Sequence, residues 1–176
     1  MSGLALDPTL QGVLRGSLAL LFAFAALHKL RDLRRFAEQL CAYRLLPAAA
    51  ARPAAIGLAL CELVTAAALC MPAWGRGGAL AASGLVTLYT AAIATNLLRG
   101  RRSIDCGCGL APRPLGGGLL VRNLLLAGAA LLAALPATPR AQVWVDLLSV
   151  AFGIATAACV YAAADGVASA AARSRA

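Results

Sequence analysis

The chain has 176 residues, 61% of them hydrophobic and only 13% charged, against roughly 45–50% apolar and about 25% charged in soluble domains. A soluble globule of this length has no interior large enough for so much apolar surface, so lipid is the expected solvent. The net charge of +9 lies in short connections and at the C-terminus, not on a stripe with interleaved aromatics, which argues against a nucleic-acid interface.

Residues 1–14 contain Asp7 and no Lys or Arg. The basic start of a secretory signal is therefore missing, and the first apolar stretch is expected to remain a membrane span. About 20 apolar residues cross a hydrocarbon core as helix. Five stretches fit: Val13–Leu30, Ala54–Met71, Gly78–Leu98, Leu119–Leu135 and Val143–Ala164. The fold class predicted is all-α, a polytopic membrane helical bundle of four to five transmembrane helices in a single domain over residues 1–176. Small residues (Gly16 with Ser17, Ala66–Ala68, Ala81–Gly84, Ala127–Ala130) let such helices approach closely where lipid gives no hydrophobic drive to association.

After the first span comes Arg31–Leu46, where Leu33, Phe36, Ala37, Leu40 and Cys41 share one helical face and Arg34, Arg35, Glu38 and Arg44 the other. This predicts an amphipathic helix lying on the bilayer surface and stopped by Pro47. The second span carries Glu62, nine residues beyond Pro53, hence roughly 13 Å along the helix. Ionisable groups at such depth are costly and call for a partner. Arg122, near the start of the fourth span and followed by Asn123, is the expected one. The alternative role for Arg122 and Asn123 is at the mouth of a helix-lined cavity, hydrogen-bonding a quinone carbonyl or a thiolate. The sole histidine, His28, reads as an interfacial residue. The fifth span is the weakest because Asp146 lies near its start, which leaves a four-span bundle with a peripheral last helix as the other arrangement.

Of the six cysteines, Cys61, Cys70 and Cys159 fall in or near spans and read as small apolar residues. Cys106 and Cys108 differ. They lie in Ile104-Asp105-Cys106-Gly107-Cys108-Gly109 between the third and fourth spans. Bridging residues two apart needs their alpha carbons within about 7 Å, and Gly107 permits the tight turn this requires. A strained bridge of that kind is a labile, reactive one. Arg99, Arg101, Arg102 and Arg113 surround it and favour thiolate, while Asp105 opposes them and is placed to shuttle a proton. Cys41, expected on the same membrane face, is a candidate relay thiol. Two adjacent thiolates also suit a soft ion such as Cu(I) or Hg(II), so a soft-metal carrier is a second reading. A non-catalytic assembly partner for a redox protein is a third. With one histidine and few acids, hydrolytic chemistry has no constellation to run on.

These residues carry a family resemblance. The chain resembles the methylamine-utilisation MauE family, within the DoxX-like integral membrane proteins, from roughly Ala26 to Leu126. The matching pieces are Lys29-Leu30, Phe36, Tyr43-Arg44-Leu45-Leu46-Pro47, Glu62-Leu63, Asn96-Leu97-Leu98-Arg99-Gly100, Asp105-Cys106-Gly107-Cys108 and Arg122-Asn123-Leu124. After the second cysteine this chain reads Gly109-Leu110, where the family pattern has Phe-Gly. The resemblance implies a multi-pass protein of the bacterial inner membrane, needed for maturation of the disulfide-rich methylamine dehydrogenase small subunit, an exported chain. It also implies a thioredoxin-like partner, MauD. In plan the family looks like vitamin K epoxide reductase and DsbB. That analogy implies Cys106 and Cys108 as the catalytic pair and quinone as the electron acceptor.

The two lines disagree on orientation. Lys29, Arg31, Arg34, Arg35, Arg44 and Arg52, then Arg99, Arg101, Arg102 and Arg113, then Arg173 and Arg175 mark one face, against Arg15, Arg76 and Arg140 on the other. With five spans this puts the N-terminus outside and Cys106 and Cys108 in the cytoplasm. Oxidising an exported substrate needs them outside.

Overall fold

The computed structural model describes residues 5–101 and 117–173. Helix α1 (Pro8–Arg31) begins where Asp7 caps it: the Asp7 carboxylate accepts the Thr9 amide at 2.8 Å, and Pro8 occupies the first helical position, where no amide is needed. Helix α2 (Leu33–Tyr43) follows after one residue. Its cap is Asp32, which accepts the Arg35 amide at 3.0 Å, and it ends on Arg44 in the left-handed region at φ +49°. The predicted amphipathic helix is thus present, with Phe36 and Tyr43 buried beneath it and Arg34, Arg35, Glu38 and Arg44 exposed.

Helix α3 (Ala48–Cys70) starts six residues before the predicted span and carries Pro53 inside its second turn. Helix α4 (Gly75–Leu98) returns antiparallel to it. A Cβ on Gly78 would stand 2.8 Å from the Leu69 backbone nitrogen, so this hairpin closes only over a glycine. Helix α5 (Gly117–Ala133) and helix α6 (Trp144–Arg173) complete the described elements. Among the described residues, four helices are long and apolar enough to cross a membrane: α1, α3, α4 and Trp144–Val167 of α6. At 17 residues α5 is shorter. Asp146 therefore does not weaken the last helix as the sequence suggested, because its charge is met at the helix start by Arg140 and by the Val143 amide at 2.9 Å.

The core is built from α1, α3, α4 and α5. Leu18, Ala19 and Phe22 meet Ala66, Leu69, Ala79, Ala82, Val86, Ala130 and Ala133, an interior mostly of alanine. Small side chains bring backbones together, the packing that lipid-exposed helices rely on. Helix α6 lies outside this core against α1, with Gly16 beneath Ile154 and Gly153 against Val13. No residue in its most apolar window is buried.

One end of the bundle is tied by polar contacts. Gln11 Nε2 donates to the Leu135 carbonyl at 2.5 Å and Arg15 Nε to that of Ala133 at 3.1 Å. Together they satisfy the Ala133 carbonyl, which the end of α5 leaves without a helical partner, and that of Leu135 just beyond it. Leu6 pairs with the chain after α5, its amide 2.9 Å from the Pro136 carbonyl and its carbonyl 2.8 Å from the Thr138 amide. Arg140 then clamps the corner, donating to Asp7 at 2.9 and 3.2 Å, to both Asp146 oxygens at 2.9 Å and to Thr9 Oγ1 at 2.8 Å. The Arg140 hydrogen bonds, followed by the Thr9 amide, hold the Asp7 carboxyl down at about 2. The hydrogen bonds to Asp146 and then Asp7 push the guanidinium of Arg140 up.

A depressed carboxyl contributes stability that is present above its ordinary value and is lost as pH falls through the folded value. The corner should therefore hold above about pH 4 and loosen as pH drops toward 2. The check is amide exchange at Leu6 and Thr138, corrected for intrinsic rate. Protection should fall across that window in the wild type, and in Arg140→Gln it should already be low above it. Protection independent of pH in the wild type would sink the idea.

Candidate functional site

Four helices, α1 to α4, meet around a buried ion pair. Lys29, near the end of α1, is 3% exposed and Glu62, midway along α3, is 1% exposed, with Lys29 Nζ hydrogen-bonded to Glu62 Oε1. Tyr89 of α4 donates its hydroxyl to the same oxygen at 2.7 Å. The ammonium also lies 5.2 Å from the Phe36 ring centroid and 5.1 Å from that of Tyr89. Two aromatic faces thus replace part of the water that the cation gives up. Removing both charges from water costs several kcal/mol per ion, which mutual attraction recovers only with close geometry and added hydrogen bonds. Here Oε1 accepts two such bonds.

The other carboxylate oxygen, Glu62 Oε2, is buried and has no partner among the described residues. Glu62 helps to line a small chamber of about 50 Å³ that Phe22, Val86, Arg122, Asn123, Leu126 and Tyr161 share. A buried acceptor without a partner among the described residues, beside a small void, suits an ordered water, which needs only about one probe sphere of space. A cavity of roughly 150 Å³ takes a benzene ring. This chamber is a third of that size, so a quinone ring does not fit it as it stands, although Arg122 and Asn123 present the donors that a carbonyl would want.

The structure corrects the predicted Arg122–Glu62 pair. Arg122, in the second turn of α5, turns toward its neighbour and toward α6. Its Nε and Nη2 donate to Asn123 Oδ1 at 3.3 and 3.1 Å, and Nη1 lies 3.8 Å from Asp165 Oδ1. Asn123 is 3% exposed, and Asp165 is buried. Arg122 and Asn123 do line the same chamber as Glu62, so the cavity-mouth placement describes them better than the ion pair does. Tyr89, Tyr161 and Asp165 were not singled out from sequence. Each is a polar group within an apolar helix, which is the signal that could have found them.

Asp105, Cys106 and Cys108 lie outside the described residues. The approach to them is described. Arg99, exposed, follows the last residue of α4, Gly100 takes φ +71°, and the Arg101 amide returns to the Asn96 carbonyl at 3.0 Å. The Arg101 guanidinium donates to the Ala42 carbonyl at 3.3 Å. The chain therefore enters segment 102–116 beside the end of α2, one residue from Cys41, a half-buried free thiol. Cys61, Cys70 and Cys159 are free and exposed on the outside of the bundle, so they face outward and do not pack in the core. His28 is exposed as well. Among the described residues, no three His, Cys, Asp or Glu side chains gather into a metal-holding group.

A family model described as methylamine utilisation protein MauE matches residues 7–136. The chain is 38% identical over 170 residues to a methylamine utilization protein MauE of Paracoccus denitrificans, an alignment covering 94% of this chain and 90% of that one. It is 35% identical over 171 residues to the MauE protein of Methylophilus methylotrophus, covering 94% and 89%. With the MauE protein of Paracoccus versutus the identity is 42% over 131 residues, covering 73% and 70%. No solved structure matches.

Proposed function

The chain belongs to the MauE family, and from that membership we propose that it serves methylamine utilisation as a membrane thiol–disulfide protein, maturing a disulfide-rich exported enzyme through Cys106 and Cys108. Its partners are then the bilayer, a thioredoxin-like protein and the exported substrate chain, the methylamine dehydrogenase small subunit being the first candidate. Its location is the bacterial inner membrane.

The exchange itself balances without a cofactor. A partner thiolate attacks one sulfur of a Cys106–Cys108 disulfide, that S–S bond breaks, and a mixed disulfide forms. The partner's second thiolate then attacks its own sulfur in the mixed bond, leaving the partner oxidised and Cys106 and Cys108 reduced. Two electrons pass to this chain, and the protons of the partner thiols end on Cys106 and Cys108 or in solvent. Cationic neighbours stabilise the thiolates that leave and attack, which is the role of Arg99 and Arg101 here.

The observation that carries this reading is the Arg101–Ala42 hydrogen bond, because it brings the entry to the Cys106–Cys108 segment next to Cys41. A relay through Cys41 requires that proximity. Glu62, Tyr89, Arg122 and Asn123 share the lining of the small chamber between these helices.

A membrane-impermeant maleimide added to intact cells, before and after mild reduction, tests the reading. Labelling of Cys106 and Cys108 only after reduction is the expected result and means an outward-facing disulfide, against the arginine count. Labelling that needs permeabilised membranes puts the pair in the cytoplasm and overturns direct oxidation of an exported chain.

A further inference from the structure

Helix α2 stands off from α4, and a groove of about 220 Å³ runs between them. Phe36, Leu40 and Tyr43 form its α2 wall, Leu88 and Ala92 its α4 wall, and Leu58 of α3 its back. The lining is almost entirely apolar. Leu88 is 54% exposed and Leu45 and Leu46, also in the lining, are 42% and 43% exposed, so the groove opens on the bilayer beneath an amphipathic surface helix. A peptide would leave its amides unsatisfied against such walls. A hydrocarbon chain has none to satisfy.

Two arginines flank the α2 end of the groove. Arg44, exposed and held in the left-handed conformation, sits between the lining residues Tyr43 and Leu45. Arg101 reaches the same corner through the Ala42 carbonyl. From this apolar slot with two arginines at its α2 end, we infer that the groove is a specific site for one anionic phospholipid, with an acyl chain under α2 and the phosphate at Arg44 and Arg101. The site shares Arg101 with the entry to the thiol segment, but it is read by lipid retention alone, so its failure leaves the exchange at Cys106 and Cys108 standing.

The test is native mass spectrometry of the full chain, released from bilayer discs made of equal phosphatidylglycerol and phosphatidylcholine. The wild type should keep one phosphatidylglycerol through stepwise delipidation, with a preference over phosphatidylcholine on the order of tenfold or more, as two arginines near an anionic headgroup give. The Arg44→Gln/Arg101→Gln variant should lose the preference. Ala92→Trp should fill the slot and retain neither lipid. Retention of several lipids without preference, of neither lipid by the wild type, or of phosphatidylglycerol undiminished in the arginine variant overturns the site. If Ala92→Trp fails to fold, the arginine variant decides alone, since it changes no residue of the core.

Discussion

Lys29→Met should destabilise the bundle by about 3–5 kcal/mol, because it leaves Glu62 charged, buried and stripped of its counter-ion. The geometry behind this figure is unusually closed. Both side chains are at least 97% buried, and Glu62 Oε1 receives the ammonium and the Tyr89 hydroxyl together. Glu62→Gln should cost a similar amount by stranding the ammonium, although the two aromatic faces soften the loss. The double variant Lys29→Met/Glu62→Gln should recover most of the stability, since replacing both members of a buried pair is often near neutral. Thermal unfolding in detergent reads all three. For a chain of this size each kcal/mol moves Tm by roughly 2–4 °C, so the single variants should drop by about 10 °C and the double by far less. Single variants within about 0.5 kcal/mol of wild type, the range of an uninvolved surface change, would show that the pair is solvated.

Cys106→Ser and Cys108→Ser should each abolish disulfide maturation of the exported partner, and the double variant should be no worse than either alone. Groups that act as one unit fail together, and thiol exchange has no step that a lone cysteine completes in catalytic turnover. A single remaining thiol can still attack the disulfide of the oxidised partner, the reverse of the exchange, so with oxidised partner the surviving mutant should accumulate a mixed disulfide that runs as a larger, reductant-sensitive band. Trapping by one variant and not the other identifies which sulfur the partner meets. Cys41→Ser separates direct exchange from relay: unchanged maturation leaves the pair working alone, and a trapped intermediate lost with Cys41 makes it the connecting thiol. Normal maturation in both Cys106→Ser and Cys108→Ser would remove the thiol mechanism altogether.

Helix placement was legible because it depends on one-dimensional quantities. Apolar run length located the long helices, and the 3.6-residue period located α2 with its buried Phe36 and exposed Arg34 and Arg35. Pairing of the charges was not legible in that way. Counting along a helix estimates how deep Glu62 lies but not which way it points, and Lys29 and Arg122 both approach from the same end. Lys29 reads from sequence as one more basic residue at a span end. The structure turns it inward between Phe36 and Tyr89. Asp165 escaped because the predicted last span stopped one residue short of it. The start of α3 before Pro53 escaped because the predicted span begins just after this proline, whereas in the second turn it costs a hydrogen bond and crowds the Ala49 carbonyl without ending the helix.

Two largely buried ion pairs among the described residues have an electrical consequence. Lys29 with Glu62 and Arg122 with Asp165 each sum to zero. A lone charge crossing a membrane potential exchanges about 2.3 kcal/mol per 100 mV, but a pair that moves as a unit exchanges almost nothing. Any tilt or sliding of these helices against one another that keeps the pairs intact is therefore voltage-blind. An energised and a de-energised membrane should hold this interior in the same arrangement.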